Sequence, residues 1–290
     1  MDAETTHGYW VHDLSPFLIR FSEDFGLRYY SLAYIAGFAV AYALFRVYHR
    51  AGRSALDPAR LEGLFLALIL GVLLGGRVGF MLLYDFGELV RHPLRLFAVW
   101  EGGMSSHGGF IGVALAVWIA TRRMGVNLWH VGDLVASAAP AGLFFGRVAN
   151  FINGELWGKP AEVGWAVLFP AAPLDRSAAY VYVAEWGYHA NPRHPSQLYA
   201  AFLEGLVLLA FMQWRFWSGG KGRPAGRLVG EFLCAYAVLR VIGEVFREPD
   251  ASLLLGLSRG TVYSLAALLL GAAIILAARL RRLPGGTGGA

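Results

Sequence analysis

The 290-residue chain has a single cysteine and little charge. Cys234 lies inside the apolar run EFLCAYAV. One thiol excludes a disulfide framework and a cysteine-ligated metal site, and in that setting it reads as a small buried hydrophobe. Charged residues make up only 16% of the chain against 57% hydrophobic. A soluble protein carries about 25% charged residues, so a water-soluble domain is excluded. Also absent are GxSxG, HExxH, a Walker loop, and GxGxxG after a strand. No His or carboxylate cluster has metal spacing, so neither a metal nor any other cofactor is implied. The N-terminal MDAETTHGYWVHDLSPF has acidic residues and no basic stretch before an apolar core. It does not read as a cleavable signal peptide, and the first spanning helix is expected to direct insertion.

What the chain does have is long apolar runs. A bilayer core takes roughly 20 apolar residues per helix. Seven segments qualify, at about 29–48, 62–83, 107–121, 131–151, 197–217, 229–246 and 260–280. The expected fold is therefore an all-α polytopic membrane protein with seven transmembrane helices. We read residues 1–283 as one transmembrane catalytic domain. A polar excursion at about 154–196 is inserted between helices 4 and 5 and forms a small periplasmic domain, and the tail 284–290 is disordered. The stretch 85–104 reads as an interfacial amphipathic segment with Trp100 at headgroup level.

The formal charge of +5 would suggest nucleic acid in a soluble protein. Here the cations flank apolar runs, which fits topology signals and anionic lipid instead, so no nucleic-acid partner is expected. With the N-terminus outside, thirteen Lys and Arg lie on the inner ends and nine on the outer, three of the nine in the long excursion. The bias gives N-out and C-in.

Three of the 25 basic residues fall within predicted spans: Arg77, Arg147 and Arg240. Charge at membrane depth is costly and marks function. Arg240 shares one helical face with Tyr236, Glu244 and Arg247, spaced i, i+4, i+8 and i+11. Arg147 precedes Asn150 by three residues, and the turn signal Asn153-Gly154 folds Glu155 back toward them. Arg77 sits among Gly75, Gly76 and Gly79, where a ligand or another backbone can come close, or where the side chain snorkels to the interface. His107 lies between two glycine pairs at the entry of the third span, and His194 opens the fifth with Pro195 and Ser196. Three intramembrane arginines without matching carboxylates point to an anionic ligand. Arg suits bidentate phosphate binding, and the abundant anions at that depth are phospholipid headgroups. The residues so read describe a phospholipid-handling membrane protein, enzyme or transporter.

The stretches YYSLAYIAGF (29–38), GGRVGF (75–80), EGGMSSHGG (101–109), GRVANFINGELWG (146–158), RHPSQLY (193–199) and YAVLRVIGEVFREPD (236–250) carry a family resemblance. The chain resembles the prolipoprotein diacylglyceryl transferases of bacterial inner membranes, with the blocks in order along nearly its whole length. It departs from them at Ala149, where a glycine is usual, and at Ala200, where many members carry Glu. The resemblance implies transfer of the sn-1,2-diacylglyceryl group of phosphatidylglycerol to the lipobox cysteine of a prolipoprotein signal peptide. The reaction would form a thioether and release glycerol phosphate on the periplasmic side of the inner membrane. It implies His107 as the base that promotes the thiolate, with Arg147 and Arg240 stabilising the departing phosphate. Substrate contacts would come from Tyr30, Arg77, Asn150, Asn153, Glu155, Gly158, His194, Tyr236, Glu244 and Arg247. A lipid or small-anion transporter is the rival reading. It would show internal repeats and matched broken helices, and seven unequal spans with a one-sided excursion show no such symmetry.

Overall fold

Each of the seven apolar segments contains a helix in the computed structural model, which describes residues 8–22, 26–98, 103–220, 222–249, 253–254 and 256–281. Trp100 and the tail 284–290 lie outside the described residues, as do the side chains of Ser106 and His107. The helices are α1 (Tyr29–Arg50), α2 (Pro58–Leu83), α4 (Ser106–Met124), α5 (Leu128–Ile152), a composite helix Ser196–Ser218, α8 (Arg227–Glu244) and α9 (Arg259–Leu280). The composite helix runs through α6 (Ser196–Ala200), a π-helical stretch (Ala201–Val207) and α7 (Leu208–Ser218). Among the described residues, five helices are long and apolar enough to cross a membrane: α1, α2, α5, Ser196–Ser218 and α9. In α8 the four charges Arg227, Glu231, Arg240 and Glu244 break up the apolar surface. In α4 the apolar run is cut short by Arg122 and Arg123 in the last turn.

The chain forms two compact units, Met1–Ala41 with Ala136–Ala290, and Tyr42–Val135. In the second, α2 begins at Asp57, whose carboxylate accepts the Arg60 N–H at 2.9 Å, with Pro58 in the first turn. Helix α2 lies against α4 along glycines. A Cβ on Gly112 would stand 2.0 Å from the Gly71 carbonyl oxygen, so only glycine allows this backbone approach. After α2 come the short α3 (Phe86–Arg91) and a 3₁₀ turn (Pro93–Phe97), whose Leu94 and Phe97 are exposed.

In the first unit, the polar excursion supplies strands β4 (Val167–Leu168), β5 (Val181–Val183), β6 (Tyr188–Ala190) and β7 (Pro192–Arg193). Strand β1 (Trp10–Val11) pairs parallel to β4, and β4 antiparallel to β7, while β5 and β6 form a hairpin. The remaining pair, β2 (Phe17–Arg20) and β3 (Gly26–Arg28), leads into α1. Leu168, Val183 and Ala190 make the small core. Asn191 brackets the excursion by donating to the carbonyls of Asp175 and Ala179, both at 2.8 Å. His12 joins the sheet to the end of α5, its Nε2 donating to the Phe151 carbonyl at 2.7 Å. The end of α5 is thereby held at a fixed place beside the sheet.

Candidate active site

Arg147 and Arg240 meet on one carboxylate. Arg147 donates through Nε and Nη2 to Glu204 Oε2, at 3.2 and 2.9 Å. Arg240 Nη1 donates to Glu204 Oε1 at 3.1 Å. Arg240 Nη2 also pairs with Glu244, one turn further along α8, and Glu244 Oε1 lies 3.9 Å from Arg247 Nε. Ser258 donates to Glu244 Oε2 at 2.6 Å and caps α9 by accepting the Thr261 N–H. Three arginines and two glutamates thus form one unbroken ion-pair chain. The Glu204 side chain is wholly buried, while those of Arg147 and Arg240 keep 18% and 13% exposure, so the carboxylate lies behind the guanidinium groups. Tyr236 lies within electrostatic range of Glu204 and both arginines.

The backbone explains why Glu204 reaches them. It sits in the π-helical stretch, where one extra residue per turn re-aims side chains. Beside it Gly205 meets Phe144 so closely that a Cβ would stand 2.6 Å from the Phe144 Cβ. Phe144 is three residues before Arg147 on α5, so this close approach brings the carboxylate within reach of the guanidinium.

A second polar cluster closes the end of α5. Tyr30, from α1, donates to Glu155 Oε1, and Asn150 donates to both the Tyr30 hydroxyl and Glu155 Oε1, the latter at 2.8 Å. Glu155 folds back as its N–H reaches the Asn150 carbonyl at 3.2 Å. The turn places Gly154 at φ 63° and Leu156 at φ 57°, the left-handed region that is uncommon for leucine. Ser196 holds the Leu156 carbonyl at 3.0 Å, and Gln197 holds that of Glu155 at 2.6 Å. The Asn153 N–H closes α5 on the Ala149 carbonyl.

Gly158 is squeezed between two backbones. A Cβ there would stand 2.5 Å from the His194 carbonyl oxygen and 2.6 Å from that of Phe246. It bridges to Arg247, which lies beyond the end of α8 at Glu244. The helical i+11 spacing expected for Arg247 therefore gives way to a turn and a bridge. His194 contacts the Tyr199 hydroxyl through Nδ1 at 3.1 Å and packs on the Phe246 ring. Burial, with Lys159 nearby, holds its imidazole below the ordinary histidine pKa. Arg193 is almost fully buried and donates to the carbonyls of Gly158 and Pro173 and to Glu248.

The remaining expected site residues belong to the second unit. Arg77 is buried and donates to the Arg95 carbonyl at 2.6 Å and the Leu96 carbonyl at 3.4 Å. It holds down the segment after α3, and its guanidinium is inside the protein. His107 occupies the first turn of α4, capped by Ser105, and its side chain is outside the described ones.

Residues 16–277 match the family model described as prolipoprotein diacylglyceryl transferase. The chain belongs to the prolipoprotein diacylglyceryl transferase family. Relatives named phosphatidylglycerol–prolipoprotein diacylglyceryl transferase include one from Rhodospirillum centenum, 43% identical over 256 residues and covering 87% of each chain. Another, from Idiomarina loihiensis, is 41% identical over 290 residues, with 97% of this chain and 99% of the relative covered. A third, from Ruegeria pomeroyi, is 38% identical over 92% of this chain and 96% of its own. This member of the family is a transferase and a mostly helical, multi-pass membrane protein.

One premise drawn from the sequence needs correcting. The arginines at membrane depth do have carboxylates: Glu204 for both Arg147 and Arg240, and Glu244 for Arg240. Sequence reasoning missed Glu204 because its partners lie 57 and 36 residues away. The available signal was a lone acid in the apolar run YAAFLEGLVLL, which by its cost at membrane depth asks for a cation.

Proposed function

We propose that this chain transfers the sn-1,2-diacylglyceryl group from phosphatidylglycerol to the lipobox cysteine thiol of a prolipoprotein. The observation that carries this reading is the Arg147–Glu204–Arg240 bridge, partly open and near the Tyr30–Asn150–Glu155 cluster, in a member of this transferase family. Arg147 and Arg240 hold the phosphate. The substrate thiol loses its proton, to His107 in this reading, and the thiolate attacks the glyceryl carbon that bears the phosphate. The C–S bond forms as the C–O bond breaks. The electron pair leaves with the phosphate oxygen, yielding a thioether and glycerol phosphate. Donors aimed at that growing charge are each worth on the order of 3 kcal/mol. Tyr30, Asn150, Asn153, Glu155, Tyr236, Glu244 and Arg247 orient the headgroup and the arginines. Gly158 and His194 join this wall to the surface domain, and Arg77 is a further substrate contact.

In this reading the chain makes seven spans, N-out and C-in, the reaction runs on the periplasmic side of the inner membrane, and the excursion 154–196 is a small periplasmic domain. Residues 1–283 act as one catalytic domain. The test is incubation with phosphatidylglycerol labelled in its acyl chains and a lipobox peptide. Covalent label on the peptide is expected, and His107→Gln should nearly abolish it while lipid still binds. Label that crosses the bilayer without reaching the peptide would favour a transporter. Ample transfer by His107→Gln would leave thiol activation to the arginines.

A further inference from the structure

Glu204 sets one negative charge between Arg147 and Arg240, so the two guanidinium groups present less positive charge to a phosphate than they would without it. Phosphatidylglycerol is a phosphodiester with one negative charge. The departing glycerol phosphate is a monoester, whose second ionisation near pH 6 brings it close to two negative charges at neutral pH. The Glu204 carboxylate therefore weakens the hold on the doubly charged product more than on the singly charged substrate.

Glu204 is the residue that sets this balance. Arg240 already has Glu244 as a partner, so neutralising Arg240 does not require a second carboxylate. Fully burying an acid carries a desolvation penalty, and the fold uses a π-helical turn and the Gly205–Phe144 contact to position it. One oxygen takes each arginine, so Glu204 also fixes the spacing between the two guanidinium groups.

We infer that Glu204 is a positioning residue that joins Arg147 and Arg240 into one phosphate clamp and, by withholding one positive charge, lets the glycerol phosphate product leave. The inference rests on the proposed transferase reading and deepens it. Glu204 touches no reacting atom; it acts through the arginines.

The test compares inhibition of transfer by two soluble anions at one pH, glycerol phosphate and glycerophosphoglycerol, the deacylated substrate headgroup. The wild type should bind the two within about threefold of each other. Glu204→Gln should slow turnover and shift the preference toward the monoester by roughly tenfold, the scale of one charge-assisted contact. Glu204→Asp keeps the charge and shortens the reach, so it should lose turnover yet keep the wild-type preference. An unchanged preference in Glu204→Gln would overturn the inference and leave Glu204 a structural ion-pair partner. So would a wild type that already favours the monoester tenfold, a comparison that stands even where Glu204→Gln does not fold. Absence of peptide labelling by the wild type would sink the transferase reading instead. Protection of the wild type from heat by the two anions would then still report the charge preference.

Discussion

At the scale of the residue, shape matters as much as charge. Arg147 uses two nitrogens on a single carboxylate oxygen, a fork that lysine does not have. Arg147→Lys should therefore keep the charge and lose transfer by about a hundredfold, corresponding to on the order of 3 kcal/mol of lost stabilisation, read from initial rates of peptide labelling. His194 makes a prediction about pH. Burial and Lys159 lower its pKa in the fold, so folding favours the neutral ring. That contribution is fully present above about pH 6.5, the ordinary histidine value, and is lost as the pH falls through the lower folded value. Thermal unfolding in detergent should show the wild type losing stability on acidification below that point, and His194→Gln losing less over the same range.

The elements carry the geometry that the residues use. Gly205 lets the composite helix touch α5 at Phe144, so Gly205→Ala should overpack the contact at a cost of about 1–3 kcal/mol. It should also pull Glu204 away from Arg147, so the melting temperature and the labelling rate should fall together. The seven helices were legible because apolar runs of bilayer length leave few other ways to satisfy a backbone. The return of Glu155 onto Asn150 was legible in Asn153-Gly154, a local turn signal. Glu204 was not. Its partners lie on α5 and α8, and a π-helical turn shifts the facing that a 3.6-residue period would assign. The seat of Arg77 was not legible either, since the Arg95 and Leu96 carbonyls that engage it come from a short 3₁₀ turn far along the chain.

For the whole molecule, the proposed orientation predicts which surfaces a reagent can reach. A membrane-impermeant maleimide added outside intact cells should label Ser177→Cys in the excursion and spare Ser218→Cys at the end of α7. The reverse pattern would invert the topology, and labelling of both would break it. The Ala201–Val207 stretch also bears on how the sequence can change. A π-helical turn holds one more residue than an α-helical turn, so a single-codon deletion after Glu204 would return the helix to ordinary winding, keep the residues beyond it on their faces, and undo the shift that aims Glu204 at Arg147 and Arg240. Phe202 and Leu206 are well exposed on the apolar surface of this helix and should accept many apolar replacements. Inheritance across this segment is then tolerant of altered letters and intolerant of lost ones.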